Sequence, residues 1–298
     1  MNTKDLIFYV GPEEAGCTVG TLLRRGKGFS RTLLRKIKRG GEVLLNGSRV
    51  YMSDRVEAGD VLAVRLPPEV RETPVEPEEL DLEIIYEAGG VLAVNKPAGM
   101  LVHPVRCERR GTLANGIMHL WRERGVEALF RPVYRLDRDT SGVVLVAGGH
   151  YEAQQLARQL ARGDLRRRYL AVVQGLPPSG GTVNLPLAPK PGHGGEWTVD
   201  SGGKQAVTHF RLVKKLNGAA LLALELETGR THQIRVHMSH IGHPLVGDTR
   251  YGGSDVLLGR QALHAFAVDF YHPRTGVQVR LRCPMPGDMR ELVRRLAI

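Results

Sequence analysis

"RLDRDTSGVVLVA", residues 135–147, sets a charged turn against an unbroken apolar run. The run 143–147 is short, rich in β-branched residues and opened by Gly142, so it reads as a buried strand. A turn before such a strand needs a Gly and at most one Asp. This one also carries Arg135, Asp137, Arg138 and Asp139. Asp139 sits beside Thr140-Ser141-Gly142 and reads as an Asx-turn that bonds its own backbone. Asp137, between Leu136 and Arg138 near the strand end, has no such simple structural use and is the candidate for chemistry.

Working outward, strands are read at "EIIY", "VLAVN", "RYLAVVQG", "THFRLV", "ALLALELE", "ALHAFAVDF" and "VQVRLR", all after residue 81. "EAQQLARQLARG" reads as an amphipathic helix ending at Gly163, and "DMRELVRRL" as a terminal helix. Many strands with few helices between them predict an α+β fold, a largely antiparallel mixed sheet. No Gly-x-Gly-x-x-Gly and no Gly-x-x-x-x-Gly-Lys-Ser/Thr occurs, so no nucleotide cofactor is expected.

Upstream, "PPEVRETPVEPEEL" (67–80) holds four prolines and five glutamates and reads as a stiff, solvated linker. It divides a domain at 1–66 from one at 81–298. Residues 1–66 carry 12 basic and 7 acidic groups within a chain whose formal net charge is +11. Their plan is a helix, "SRTLLRKIKRGG", capped by Ser30, then an Asn46-Gly47 hairpin and a closing strand, "GDVLAVRL". Leu33, Leu34 and Ile37 make the apolar stripe, and Arg31, Arg35, Lys38 and Arg39 the opposite surface. A basic face on so small a unit points to a polyanion, and these four residues are the candidate RNA contacts.

Other classes lose support. The three cysteines are scattered, which disfavours a disulfide framework or a cysteine zinc site and fits a reducing cytoplasm. No apolar run approaches the ~20 residues of a membrane helix, and the N-terminus lacks a signal-peptide pattern. "DTSG" has no second copy, as an aspartic protease needs, and Ser141 lacks a nucleophile elbow. His232, His237, His240 and His243 do not follow His-Glu-x-x-His spacing, and Arg230 and Arg235 among them oppose a cation; no metal is expected.

Two resemblances sharpen the reading. Residues 18–66, with "TVGTLLRRGKGFSRTLLRKIKRGGEVLLNG", resemble the alpha-L RNA-binding domain of a ribosomal protein and several RNA-modifying enzymes. From residue 81 onward, "NKPAGMLVHP", "RLDRDTSG", "RRYLAVVQG", "TGRTHQIRVH" and "LHAFAVDFYHP" occur in the order and character of the RluA-type pseudouridine synthases. The resemblance implies an isomerase that detaches uracil from its N1 glycosidic bond, rotates it and rejoins it through C5. Such a reaction needs neither a dissociable cofactor nor a metal. It implies Asp137 as the catalytic residue, by attack on ribose or base or by assisting elimination. A nucleophilic Asp must stay ionised when buried with a base, and an adjacent cation favours that state. The resemblance makes Arg230 that partner, Tyr169 the ring stacked on uracil, and Arg135 the residue that fills the space a flipped nucleotide leaves. Asn95 and Lys96 would shape the pocket wall, with Lys96 meeting phosphate. One departure stands out: the family commonly has His before Arg-Leu-Asp, and this chain has Tyr134. The partner expected is structured RNA, ribosomal RNA ahead of transfer RNA, and the chain is expected to be a cytoplasmic monomer.

Overall fold

The computed structural model describes residues 5–67, 75–192 and 194–297. In the N-terminal unit, β1 (Asp5–Tyr9) precedes a helical turn, α1 (Val19–Thr21), and the basic helix α2 (Arg31–Gly40). Ser30 caps α2, its Oγ accepting the Leu33 N–H at 3.0 Å. β2 (Glu42–Leu45) and β3 (Ser48–Arg49) form the expected hairpin; Asn46 and Gly47 both take positive φ, as its two-residue turn requires. β4 (Val61–Arg65) completes a four-stranded sheet in the order β1-β4-β2-β3. Leu33 and Ile37 are buried beneath α2 and its cations are exposed.

The larger unit is a ten-stranded sheet. Its strands are β5 (Glu83–Ala88), β6 (Val91–Lys96), β7 (Arg131–Pro132), β8 (Ser141–Ala147), β9 (Arg166–Gln174) and β10 (Gly180–Asn184). A small separate pair follows, β11 (Leu187–Pro189) with β12 (Trp197–Val199). β13 (Val207–Leu216), β14 (Ala219–Leu226), β15 (Leu263–Tyr271) and β16 (Gln278–Arg282) return to the large sheet. Its main order is β10-β13-β14-β9-β15-β8-β6-β5. Every pairing in it is antiparallel except β15 with β8, which run parallel at His264–Ser141 and Ala265–Gly142. The α+β, largely antiparallel expectation describes this sheet. Helices α3 (Leu113–Glu123), α4 (His150–Arg162), α5 (Gln233–His240) and α6 (Gly287–Arg295) cover it; Gly163 closes α4 in the left-handed region. β8 is buried along its whole length, as the apolar run predicts.

The two units touch one another directly through described residues. Residues 68–74 of the expected linker lie outside the described residues, but 75–80 pack along α3. The Glu78 N–H donates to the Asn115 carbonyl at 3.1 Å, and the Glu78 carboxylate accepts from the Gly111 N–H. Tyr151 of α4 enters the N-terminal core, with ring centroids 4.8 Å from Phe29 and 5.9 Å from Phe8. Such aromatic pairs contribute about 1 kcal/mol each beyond area burial. Gln154, Gln155 and Arg158 of α4 donate to the Gly28 carbonyl alongside them.

Candidate active site

The loop carrying Asp137 joins β7 to β8 and is closed by the Thr140 N–H donating to the Asp137 carbonyl at 3.1 Å. Three parts of the chain hold it from outside. Lys96 Nζ donates to the Arg138 carbonyl at 2.8 Å and also to those of Pro97 and Met100. Arg260 donates to the Asp139 carbonyl at 3.0 Å, and Gln261 to the Thr140 hydroxyl. Ser141 Oγ and His264 Nδ1 meet at 2.9 Å across the parallel strand pair. Gly142 allows that approach: it has φ +115°, and a Cβ there would lie 2.2 Å from the Ala265 carbonyl oxygen.

Asp137 is a quarter exposed, and its Oδ2 accepts from Arg235 Nη1 at 3.1 Å. The counter-charge is therefore Arg235, not Arg230. α5 begins at Gln233, so Arg235 lies in its first turn facing the loop, whereas Arg230 precedes the turn and donates through Nε to the Gln205 carbonyl at 3.0 Å. The other edge of Arg235 is taken by Asp248, which is buried: Nε donates to Oδ2 at 2.7 Å and Nη2 to Oδ1 at 2.8 Å. Burial alone would weaken the charged guanidinium. The hydrogen bonds and charge of Asp248, and then those of Asp137, raise its pKa above the ordinary arginine value. Asp137 thus shares its cation with a second carboxylate and is not gripped as a fork.

His232 stands on the other side, its Nε2 3.9 Å from Asp137 Oδ2 and its Nδ1 2.7 Å from the Tyr251 hydroxyl. Burial lowers its pKa against the opposing charge of Asp137, and Arg235 and Arg250 lower it further. Tyr169, on β9, is buried; burial raises its phenol pKa, Arg167 pulls against that, and Asp137 adds to it. Asp137, Arg235, His232 and Tyr169 therefore share one place. A half-buried carboxylate with one fixed cation, a histidine and a phenol can attack carbon or take a proton beside a flat ring.

The remaining expected residues divide. Arg135 is exposed at the rim of the loop. The Asn95 amide on β6 donates to its register partner Glu83 on β5 at 2.8 Å. Lys96 must be corrected: it is fully buried, so it cannot meet phosphate or substrate. Burial pulls its pKa down to about 7, while its three carbonyl acceptors call for the three N–H bonds of an ammonium. Tyr134 is a packing residue; its hydroxyl donates to the Val143 carbonyl, and the Arg167 guanidinium lies 5.4 Å from its ring centroid. Among the histidines weighed for metal, His237 bonds Thr208 and the Leu185 carbonyl, and His243 meets the Gln174 carbonyl. Among the described residues no cluster of His, Cys, Asp or Glu suits a metal ion.

The residues missed from sequence were Arg235 as ion-pair partner, together with Asp248, Tyr251 and the site role of His232. The sequence offered no helix-face signal for the pair, because α5 begins at Gln233 and His232 stands just outside it in left-handed backbone. On the N-terminal unit, Arg31, Arg35 and Lys38 of α2 line an open groove of about 540 Å³ with Arg24, Leu34 and Met52, and Arg39 lies exposed on the same helix. Among the described residues no helix is long and apolar enough to cross a membrane.

Comparison with known proteins extends this geometry. A family described as RNA pseudouridylate synthase matches residues 90–240, the span from β6 to the end of α5. The RNA pseudouridine synthase YlyB of Bacillus subtilis is 42% identical over 274 residues, covering 90% of each chain. The ribosomal large subunit pseudouridine synthase D of Xylella fastidiosa is 41% identical, over 90% of this chain and 85% of its own. Among solved structures, human RNA pseudouridylate synthase domain containing 1 superposes with a TM-score of 0.56 at 26% identity, over 72% of this chain and 86% of its own.

Proposed function

Because the chain belongs to the RNA pseudouridylate synthase family and is an isomerase acting on RNA, we propose that it converts uridine to pseudouridine in ribosomal RNA with Asp137 as its catalytic residue. The observation that carries the assignment to Asp137 is its half-buried carboxylate, fixed by a loop tied from three sides and paired with a cation whose second edge is spent on Asp248. The ribosomal target rests on the name of the Xylella relative.

In this reading the target nucleotide leaves its stack and enters beside Asp137, since the reacting atoms are out of reach in folded RNA. Arg135, exposed at the rim, fills or braces the vacated position. Tyr169 supplies the surface on which the uracil ring rests, and Arg230 and Asn95 belong to the pocket margin. Asp137 attacks C1′ or takes the proton from C2′, and the C1′–N1 bond breaks. The freed uracil turns and bonds C1′ through C5 as the bond to Asp137 breaks or C2′ regains its proton, and the C5 proton is then lost to restore the ring. Arg235 holds the carboxylate in place throughout while leaving one oxygen without a cation contact.

The N-terminal unit, residues 1–66, acts in this proposal as an alpha-L-like RNA-binding domain whose contacts are Arg31, Arg35, Lys38 and Arg39. Spreading binding over such exposed cations separates affinity from chemistry. The protein is proposed to work in the cytoplasm as a monomer, with transfer RNA as the alternative substrate. The test is a pseudouridine map of total RNA from cells with and without this protein. Loss of a modification in large-subunit ribosomal RNA is expected; an unchanged ribosomal map with a lost transfer-RNA site would move the assignment.

A further inference from the structure

Two non-glycine residues among those described have positive φ. One is Asn46 in its hairpin; the other is His232, at φ 55° and ψ 19°. Left-handed backbone at a non-glycine residue costs about 1 kcal/mol or more and persists where surrounding structure enforces it. Here it sets the imidazole against Asp137. Tyr251 then fixes the ring: its hydroxyl oxygen accepts the Trp197 N–H at 3.0 Å and lies 2.7 Å from His232 Nδ1. The hydroxyl proton is free to be donated to Nδ1, and the tautomer that receives it is the one taken here. The imidazole proton is then on Nε2, which faces the catalytic carboxylate at 3.9 Å. That separation is too long for a direct hydrogen bond and leaves the N–H available to a third group beside them.

We propose that His232 is a further catalytic residue, a neutral Nε2–H donor that stabilises the uracil anion as it leaves the ribose. The proposal rests on Asp137 being the reactive carboxylate. When the C1′–N1 bond breaks, its electron pair stays with uracil and spreads from N1 onto O2, the carbonyl oxygen of the neighbouring ring carbon. In exchange, C1′ gains a bond to the Asp137 oxygen, or a C1′–C2′ double bond forms as Asp137 takes the C2′ proton. His232 keeps its proton in either case and holds the new charge by a hydrogen bond to O2, as an oxyanion-hole donor does. A donor this close to the carboxylate that works at C1′ or C2′ is near the ring atoms that flank N1, and O2 is the hydrogen-bond acceptor among them.

The experiment compares RNA cleavage chemistry in the intact protein, using transcripts of large-subunit ribosomal RNA made with uridine or with 5-fluorouridine. Fluorine withdraws electrons and makes the departing base a weaker base, so it needs less help from a donor. His232→Asn tolerates the left-handed backbone and can still meet Tyr251, but has no donor at the Nε2 position. It is expected to slow single-turnover glycosidic cleavage of the uridine transcript on the order of 100-fold, and that of the fluorinated one by roughly tenfold or less. His232→Gln, which places an amide N–H near the Nε2 position, should recover much of the loss. Equal slowing on both transcripts, or none on either, would overturn the role of His232. Asp137→Asn serves as the separate control: if it still cleaved both transcripts at the wild-type rate, the assignment of Asp137 would fail instead.

Discussion

The loop that carries Asp137 and the helix that carries Arg31, Arg35, Lys38 and Arg39 are both strongly charged, and they are built in opposite ways. The loop's carbonyls are taken by Lys96 and Arg260, its first strand residues are locked to β15, and its carboxylate shares one buried cation with Asp248. The cations of α2 stand exposed over a buried Leu33 and Ile37. A reacting group must be held to a fraction of an ångström, whereas phosphate contacts act at longer range and in parallel. Damage to the first region should therefore stop chemistry, and damage to the second should weaken binding by increments.

Short of removing the Asp137 carboxylate itself, the largest departure should come from Asp248→Asn. Removing one partner of a buried pair costs about 3–5 kcal/mol, and the freed guanidinium edge can then grip both oxygens of Asp137. Denaturant melting should show a stability loss of that size, and single-turnover rate should fall on the order of 100-fold. Wild-type values in both would break the contrast. Gly142→Ala comes next, because its Cβ would collide with the Ala265 carbonyl and its φ of +115° is hostile to a side chain. A loss of about 2 kcal/mol or more is expected by thermal melting.

Smaller effects sharpen the other half. Arg35→Ala with Lys38→Ala should weaken RNA binding and reduce the slope of log affinity against log salt by roughly one per residue that contacts phosphate. Single-turnover rate at saturating RNA should stay unchanged; a fall in that rate would make α2 part of the active site. The smallest effect is expected at the seam, where His150 on α4 meets Lys36 of α2 at 2.5 Å. Burial, Arg131 and Lys36 bring the His150 pKa down to about 4. Its unfolded form binds a proton near pH 6.5, so stability is full above that value and declines as pH falls toward 4. His150→Gln should flatten that part of the stability profile; an unaltered slope would contradict it.

The sequence made much of this legible. Alternation and apolar runs located β5, β6, β8, β9 and β13 to β16, while Ser30 marked the start of α2, Asn46-Gly47 the β2–β3 turn and Gly163 the end of α4. α5 gave no clean amphipathic stripe because it buries Gln233, Arg235 and His237, whereas α3 does carry one, Leu113, Ile117 and Trp121 four apart, that the strand-rich reading passes over. A helix whose inner face is polar gives no periodic signal. Arg230 came from the motif resemblance alone, and only the folded start of α5 shows that Arg235 is the residue turned toward Asp137. Lys96 looked like a surface cation because lysine is rarely fully buried. Its three acceptors come from distant carbonyls that only the folded loop assembles.

The central claim is that one carboxylate carries the isomerisation while binding is spread elsewhere. Its most direct test is single-turnover pseudouridine formation by Asp137→Asn at saturating large-subunit ribosomal RNA, with affinity measured in the same buffer. A rate loss on the order of 1,000-fold or more is expected, with RNA affinity close to wild type. Turnover near the wild-type rate would contradict it.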